Sequence, residues 1–238
     1  MKHLLDVHTH TIASGHAYST INEMAVAAAK NNLQLLGITE HAMAMPGTCH
    51  EYYFRNTRII DRHAYPVELM FGVELNILDT NGSIDMTEDV LDLMDLCIAS
   101  MHTPCFRSQT KEMNTKTYIK VMQNPYVDII GHPDDSRYPI DYKELAYAAK
   151  EYNVLLELNN SSLNPLSARK GAHDNYLKLL EYCKEYQVPL IINSDAHIDY
   201  LVGSCLEIHQ LLKEANFPES LIVNGDIPYF KSFLHKYK

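Results

Sequence analysis

The chain has 238 residues, room for one large domain or two small ones, and its 46% hydrophobic and 21% charged content excludes a disordered, collagenous or coiled-coil chain. Its 20 Lys and Arg against 30 Asp and Glu give a formal charge of -10, the wrong sign for wrapping nucleic acid or coating an anionic membrane. No apolar run approaches the roughly 18–20 residues of a membrane span, and the opening Met-Lys-His-Leu-Leu is too short and polar for a signal peptide, so the chain reads as cytoplasmic.

In chain order, short apolar runs predict strands at 4–8, 34–39, 67–74, 96–101, 127–131, 154–158 and 188–193. Segments of helical period fall between them, at 21–32, 52–64, 115–123, 142–152, 173–186 and 205–215, with a last helix over 228–236. Thr20-Ile21-Asn22-Glu23 is a capping-box pattern that opens the first helix. Apolar strands alternating with helices predict a parallel sheet covered by helices. Seven such units suit a closed (β/α) barrel better than an open sheet, and no repeat or Pro/Ser-rich linker divides them. The expectation is an α/β protein forming one domain over residues 1–238.

The five cysteines are odd in number, widely spaced and without a C-x-x-C pair, as expected of reduced thiols. Histidine is the anomaly, with 13 residues against nine Gly and six Phe. After the first expected strand come His8 and His10; after the second, His41; the third ends at Glu74. His102 and His132 follow the fourth and fifth, and Asp195 and His197 the seventh. Parallel strands bring their C-terminal ends to one face of a barrel, so these residues are expected to converge on one pocket. The strand period of two should point both members of His8-x-His10 and Asp195-x-His197 the same way.

A single histidine beside a strand is ordinarily a hydrogen-bonded polar residue, but six of seven strand ends agree. With His16, in the loop after the first strand, the set holds seven histidines and two carboxylates, which suits about three transition-metal ions. Such a centre carries a net charge of about +4 and attracts a compact, highly charged anion; a phosphate ester fits that description. His3, His63, His173, His209 and His235 lie outside the pattern and are read without a metal role.

Asp6-Val7-His8-Thr9-His10, Thr39-Glu40-His41, Gly72-Val73-Glu74, His102, Gly131-His132-Pro133 and Ser194-Asp195-Ala196-His197 resemble the ordered motifs of the PHP (polymerase and histidinol phosphatase) superfamily. The segments His16–Thr20, Glu157–Ser162 and Ser167–Gly171 are similar to the stand-alone bacterial phosphatases of the YcdX type. The resemblance implies a distorted (β/α)7 TIM-like barrel with a trinuclear metal centre at the C-terminal ends of the strands. It implies one ion held by His8, His10, Glu74 and Asp195, a second by Glu74, His102 and His132, and a third by His16, His41 and His197. Glu74 would then bridge two ions. Glu40 departs from the family, which has Asp before the histidine, and is left outside the ligand set.

Arg169 and Lys170 follow the sixth strand and are either a solvated basic pair or, through Arg169, a guanidinium fork on the substrate phosphate. Arg55, Arg58 and Arg62 read as a solvated helical stripe, and the segment His50–Phe54 as a loop that could cover the pocket. The function expected is a phosphatase of small phosphomonoesters, using a metal-bridging hydroxide with zinc, or manganese or iron, as cofactor. Glu74 and Asp195 are its catalytic carboxylates, with Asp195 or Glu40 conceivable as the proton carrier and Arg169 as the substrate-binding group. The partner is a small phosphorylated substrate, with long nucleic acid and membrane disfavoured; a homo-oligomer is left open.

Three rivals stand beside it. An amidohydrolase would commonly bridge its metals with a carboxylated lysine where this chain has Glu74. A non-catalytic metal-binding PHP domain should have lost ligands. A nuclease or other phosphodiesterase of the same superfamily is disfavoured by the charge of -10 and the lack of an aromatic-basic strip.

Overall fold

The computed structural model describes residues 2–237, so Met1 and Lys238, the two ends of the expected domain, lie outside the described residues. Seven strands form one sheet in sequence order: β1 (Leu5–Asp6), β2 (Leu35–His41), β3 (Glu68–Asn76), β4 (Cys97–Ser100), β5 (Ile129–Ile130), β6 (Leu155–Asn159) and β7 (Leu190–Asn193). Every ladder is parallel. The sheet curls into a nearly closed, distorted (β/α)7 barrel whose β1 and β5 are reduced to two residues each.

Closure between β7 and β1 is made by side chains and one isolated bridge. Thr9 bridges Ala196, and Val7 donates its N–H to Asn193 Oδ1 at 3.0 Å. The buried Asn224 fills the rest of the seam: its Oδ1 accepts from Ile192 N at 2.8 Å, and its Nδ2 donates to Leu5 O at 3.1 Å and Ile192 O at 2.7 Å. One amide thus satisfies backbone groups that a missing strand would otherwise pair.

Inside the barrel, Leu5, Leu35, Met70, Ile98, Ile129, Leu155 and Ile191, one from each strand, pack into a single cluster with Phe230, Phe233 and Leu234 from the C-terminal segment. At Gly72 a Cβ would lie 2.4 Å from Leu96 O, so β3 and β4 pack there only because the side chain is absent.

The helices are α1 (Ile21–Lys30), α2 (Glu51–Asn56), α3 (Glu88–Leu91), α4 (Lys111–Met122), α5 (Tyr142–Tyr152), α6 (Ala172–Tyr186), α7 (Leu206–Glu214) and α8 (Ile227–Lys231). The capping box on α1 is formed as expected, with Thr20 Oγ1 accepting from Glu23 N and the Glu23 side chain accepting from Thr20 N. The helix expected over 52–64 stops at Asn56 and breaks into two 3-10 turns, where Thr57 Oγ1 donates back to Phe54 O at 2.9 Å. Its arginines therefore share no helical stripe: Arg55 pairs with Glu51 and Asp89, and Arg62 with Asp95. α3, too short for a periodic signal, was not expected. All five cysteines are unpaired, and among the described residues no helix is long and apolar enough to cross a membrane.

Candidate metal centre

The register of β2 against β3 sets His41 directly beside Glu74. Glu74 is fully buried and stands among five imidazoles. Its Oε1 lies 3.3 Å from His8 Nε2, 3.1 Å from His102 Nε2 and 3.0 Å from His132 Nε2; its Oε2 lies 3.5 Å from His10 Nε2 and 2.6 Å from His41 Nδ1. Asp195 closes the other side, with Oδ1 at 3.7 Å from His8 Nε2, 3.4 Å from His10 Nε2 and 3.5 Å from His197 Nδ1. His16 Nε2 faces His41 Nε2 at 3.2 Å, and the His197 ring stands 4.4 Å from that of His10 and 5.0 Å from that of His16. All nine side chains singled out from the sequence meet in one cluster. His8, His10 and Glu74 are at its floor, and His16, His102 and His197 open it to solvent.

Outer hydrogen bonds fix which nitrogen each ring turns inward. Asn76 donates through Nδ2 to Asp85 Oδ2 and Ala42 O, so its Oδ1 is left to accept from His102 Nδ1 at 2.8 Å. Ser14 donates its hydroxyl to Glu40 Oε2 at 2.5 Å and therefore accepts from His10 Nδ1 at 3.1 Å. His197 Nδ1 donates to Asp195 O at 3.0 Å, and His8 Nδ1 to Glu157 Oε1 at 2.7 Å. Four imidazoles thus carry a proton on Nδ1 and turn Nε2 to the centre, the orientation that ligates a metal.

Electrostatics agree with that arrangement. Burial works against charge on Glu74, yet His102, His8 and His41 hold its carboxyl well below the usual carboxylate range. Burial opposes charge on Asp195 as well, and His8, His10, Arg169 and His197 keep it ionised. Burial, with His41 and His197, pushes His10 and His16 down and keeps them neutral, the form in which imidazole binds a cation. His8 goes the other way, because Glu157, Glu74 and Asp195 outweigh its burial.

Several expectations need correction. Asp195 and His197 converge, but not through a strand pleat: β7 ends at Asn193 and Asp195 turns left-handed at φ 55°. His132 is also left-handed, at φ 29°. Such non-glycine conformations carry strain that the surrounding packing has to hold. The basic pair after β6 is split. Lys170 is exposed, whereas Arg169, with 15% of its side chain exposed, sets Nη1 and Nη2 each 3.1 Å from Asp195 Oδ2 and reaches Ser162 Oγ at 3.2 Å. Glu40 touches the cluster only through Ser14: its oxygens accept from Thr11, Ser14 and Tyr53, burial raises its carboxyl above the usual range, and it anchors Ser14. In the segment expected to cover the pocket, Tyr53 reaches Glu40, Phe54 is in the core and His50 caps α2.

Glu157 is the residue that sequence reasoning missed. β6 was the strand without an expected ligand, and Glu157 on it accepts from four donors: His8 Nδ1 and Asn193 Nδ2 on Oε1, His132 N and Asn159 Nδ2 on Oε2, all at 2.7–3.0 Å. The available signal was a carboxylate flanked by Leu156 and Leu158 inside an apolar strand, where an unpaired charge would be prohibitively costly.

Comparisons with known proteins follow the same lines. A family model described as the PHP domain matches residues 6–219. A probable phosphatase of Thermoanaerobacter sp. (strain X514) is 44% identical over 239 residues, covering 100% of this chain and 97% of that protein. A probable phosphatase of Clostridium novyi (strain NT) is 42% identical, covering 98% and 96%. Among solved structures, histidinol phosphate phosphatase from Lactococcus lactis, complexed with zinc, L-histidinol and phosphate, superposes with a TM-score of 0.63 at 20% identity, covering 90% of this chain and 94% of that one. A chain of an archaeal ribonuclease P with mature tRNA superposes at 0.60 and 15% identity, covering 98% and 91%. At such identities these two likenesses concern the fold alone, which serves more than one function.

Proposed function

The chain belongs to the PHP domain family, and from that premise we propose that it is a metal-dependent phosphatase hydrolysing small phosphomonoesters. The observation that carries this reading is the set of ligand atoms left without hydrogen bonds at the floor of the cluster. His8 Nε2, His10 Nε2, His41 Nδ1 and Glu74 Oε2 are buried and unpartnered, although the last two stand only 2.6 Å apart. Buried polar atoms without hydrogen bonds are costly, and cations held among them would satisfy several at once.

In this reading the donors serve about three divalent ions, with zinc the best match to a set rich in imidazole and manganese or iron as alternatives. His8, His10, Glu74 and Asp195 would hold one, Glu74, His102 and His132 a second, and His16, His41 and His197 a third, with Glu74 shared between two. When bound, the ions supply positive charge for the phosphoryl oxygens and acidify water near neutral pH. Glu74 and Asp195 stay ionised and keep the cations close together. Arg169, forked on Asp195 Oδ2 at the edge of the cluster, orients that carboxylate and offers its guanidinium to a phosphoryl oxygen. The leaving alkoxide takes its proton from solvent at the open side, since Asp195 is ionised and Glu40 reaches the cluster only through Ser14.

The whole of residues 1–238 acts as one domain in this proposal, in the cytoplasm, on a small phosphorylated substrate. The test is phosphate release from a panel of phosphomonoesters before and after chelation, with elemental analysis of the purified protein. The proposal expects release that stops on chelation and returns with metal. Full activity in metal-free protein, or release from none of the panel with metal bound, overturns it.

A further inference from the structure

Three side chains set aside by the sequence reading come together away from the metal centre. His3 precedes β1, Cys205 sits at the start of α7, and His209 stands four residues on, one helical turn along the same face. One donor atom from each lies within 4.8 Å of the other two. Cys205 Sγ is 4.0 Å from His209 Nδ1, and the His3 ring meets that of His209 edge-on at 6.1 Å. Both ring nitrogens of His3 and Nε2 of His209 are buried and have no hydrogen-bond partner among the described residues. A buried polar group left so is costly, and native structures seldom leave two adjacent ones without a reason. Burial, with His209 nearby, pushes His3 down to about 4, and burial lowers His209 too, so both rings are neutral with a lone pair to offer.

We propose that His3, Cys205 and His209 form a second transition-metal site, of zinc type, separate from the phosphatase centre. Two imidazoles and one thiol without a carboxylate favour zinc over magnesium or manganese. Bond lengths of about 2.0–2.1 Å to nitrogen and about 2.3 Å to sulfur are met if the donor atoms contract by roughly 1 Å. Three protein ligands leave a fourth position for water. Burial raises the Cys205 thiol to about 11, so uptake breaks its S–H bond, forms a sulfur–metal bond and releases one proton to solvent. The ion would tie the lead-in to β1 to α7, which follows β7, across the side-chain seam of the barrel.

Cobalt(II) separates this site from the phosphatase centre, whose nine donors include no sulfur. Titrated into metal-free full-length protein, cobalt is expected to give a thiolate-to-metal charge-transfer absorption whose final amplitude corresponds to one thiolate-bound ion per chain, beside the ions taken up by the phosphatase centre. Cys205→Ser loses that absorption and binds one zinc fewer while keeping its phosphatase activity; His3→Gln and His209→Gln weaken cobalt binding at this site at least tenfold. If Cys205→Ser fails to fold by circular dichroism, His209→Gln carries the same test. The proposal is overturned if wild type gives no thiolate absorption, as when ordered water occupies the cluster, or if the absorption persists in Cys205→Ser. Equal zinc content in wild type and Cys205→Ser also overturns it.

Discussion

Replacing Glu157 by Gln changes one atom and no volume, yet it disturbs two proposed metal ligands at once. Around the carboxylate stand four donors, two per oxygen: His8 Nδ1 with Asn193 Nδ2, and His132 N with Asn159 Nδ2. An amide has one oxygen, so its NH2 must face two N–H donors whichever way it is turned. Either the His8 ring loses the acceptor that fixes its tautomer, or His132 loses the anchor of its left-handed backbone. Outer-shell partners of this kind are worth about 10–100-fold in metal affinity, or roughly 1.4–2.7 kcal/mol. Competition of the variant against a metal chelator should show that loss, and phosphate release should recover most of its wild-type rate at saturating metal, because no reacting atom has been touched. Unchanged affinity would refute the tautomer argument. Full occupancy with activity still absent would refute it differently, by placing Glu157 in the chemistry itself.

Glu74→Gln removes the charge shared by five imidazoles; it should lower occupancy by two ions and abolish most phosphate release while the protein stays folded, and full metal content with near-normal turnover would mean that Glu74 is not the bridge. Arg169→Ala should raise KM by the equivalent of about 1.5–3 kcal/mol, as for a charge-assisted contact, and KM unchanged across several phosphoesters would confine Arg169 to holding Asp195. His173 pairs with Glu214 and Asp174, which raise its pKa above the ordinary value. A histidine raised on folding stabilises most below its unfolded pKa of about 6.5 and loses that contribution as pH rises through the folded one, so His173→Gln should cost stability at pH 5 and nothing at pH 8. The pair is half exposed and the cost should stay under about 1 kcal/mol; an equal loss of thermal stability at both pH values would dismiss it.

The cluster was legible because parallel topology converts "follows a strand" into "faces the pocket", a rule that survived strands as short as β1 and β5. Asp195 and His197 reached the cluster for a reason the pleat did not supply, since their convergence depends on a left-handed residue. Glu157 was hidden because its value lies in the four donors around it, which come from three other strand ends and from its own strand. Arg169 and Lys170 are adjacent and of like charge, so only the fold could tell that one turns inward to Asp195. The ends of α2 and α4 were misjudged for a local reason: Thr57 bonds back onto its own turn, and the first turn of α4, Lys111-Glu112-Met113-Asn114, is mostly polar and carries little apolar period. His3 and His209 were dismissed because nothing in a linear reading brings them together.

The seam between β7 and β1 places the first and last ligand motifs on opposite lips of the same gap. His8 and His10 hang from the β1 side and Asp195 and His197 from the β7 side, and only isolated backbone bonds, such as His10 N to Ala196 O at 2.9 Å, join the two. On the proposed assignment, a cation held by His8, His10 and Asp195 would also be a cross-link closing a loop of nearly the whole chain, a constraint whose entropic worth grows with loop length. Metal loading and barrel closure would then be one equilibrium, stabilised by mass action as any ligand stabilises the form it binds. Loss of metal would first loosen the chain along that line, where amide exchange at Val7 and Ile192, whose N–H groups bond across the seam, should quicken before the ladder of β2 and β3 responds.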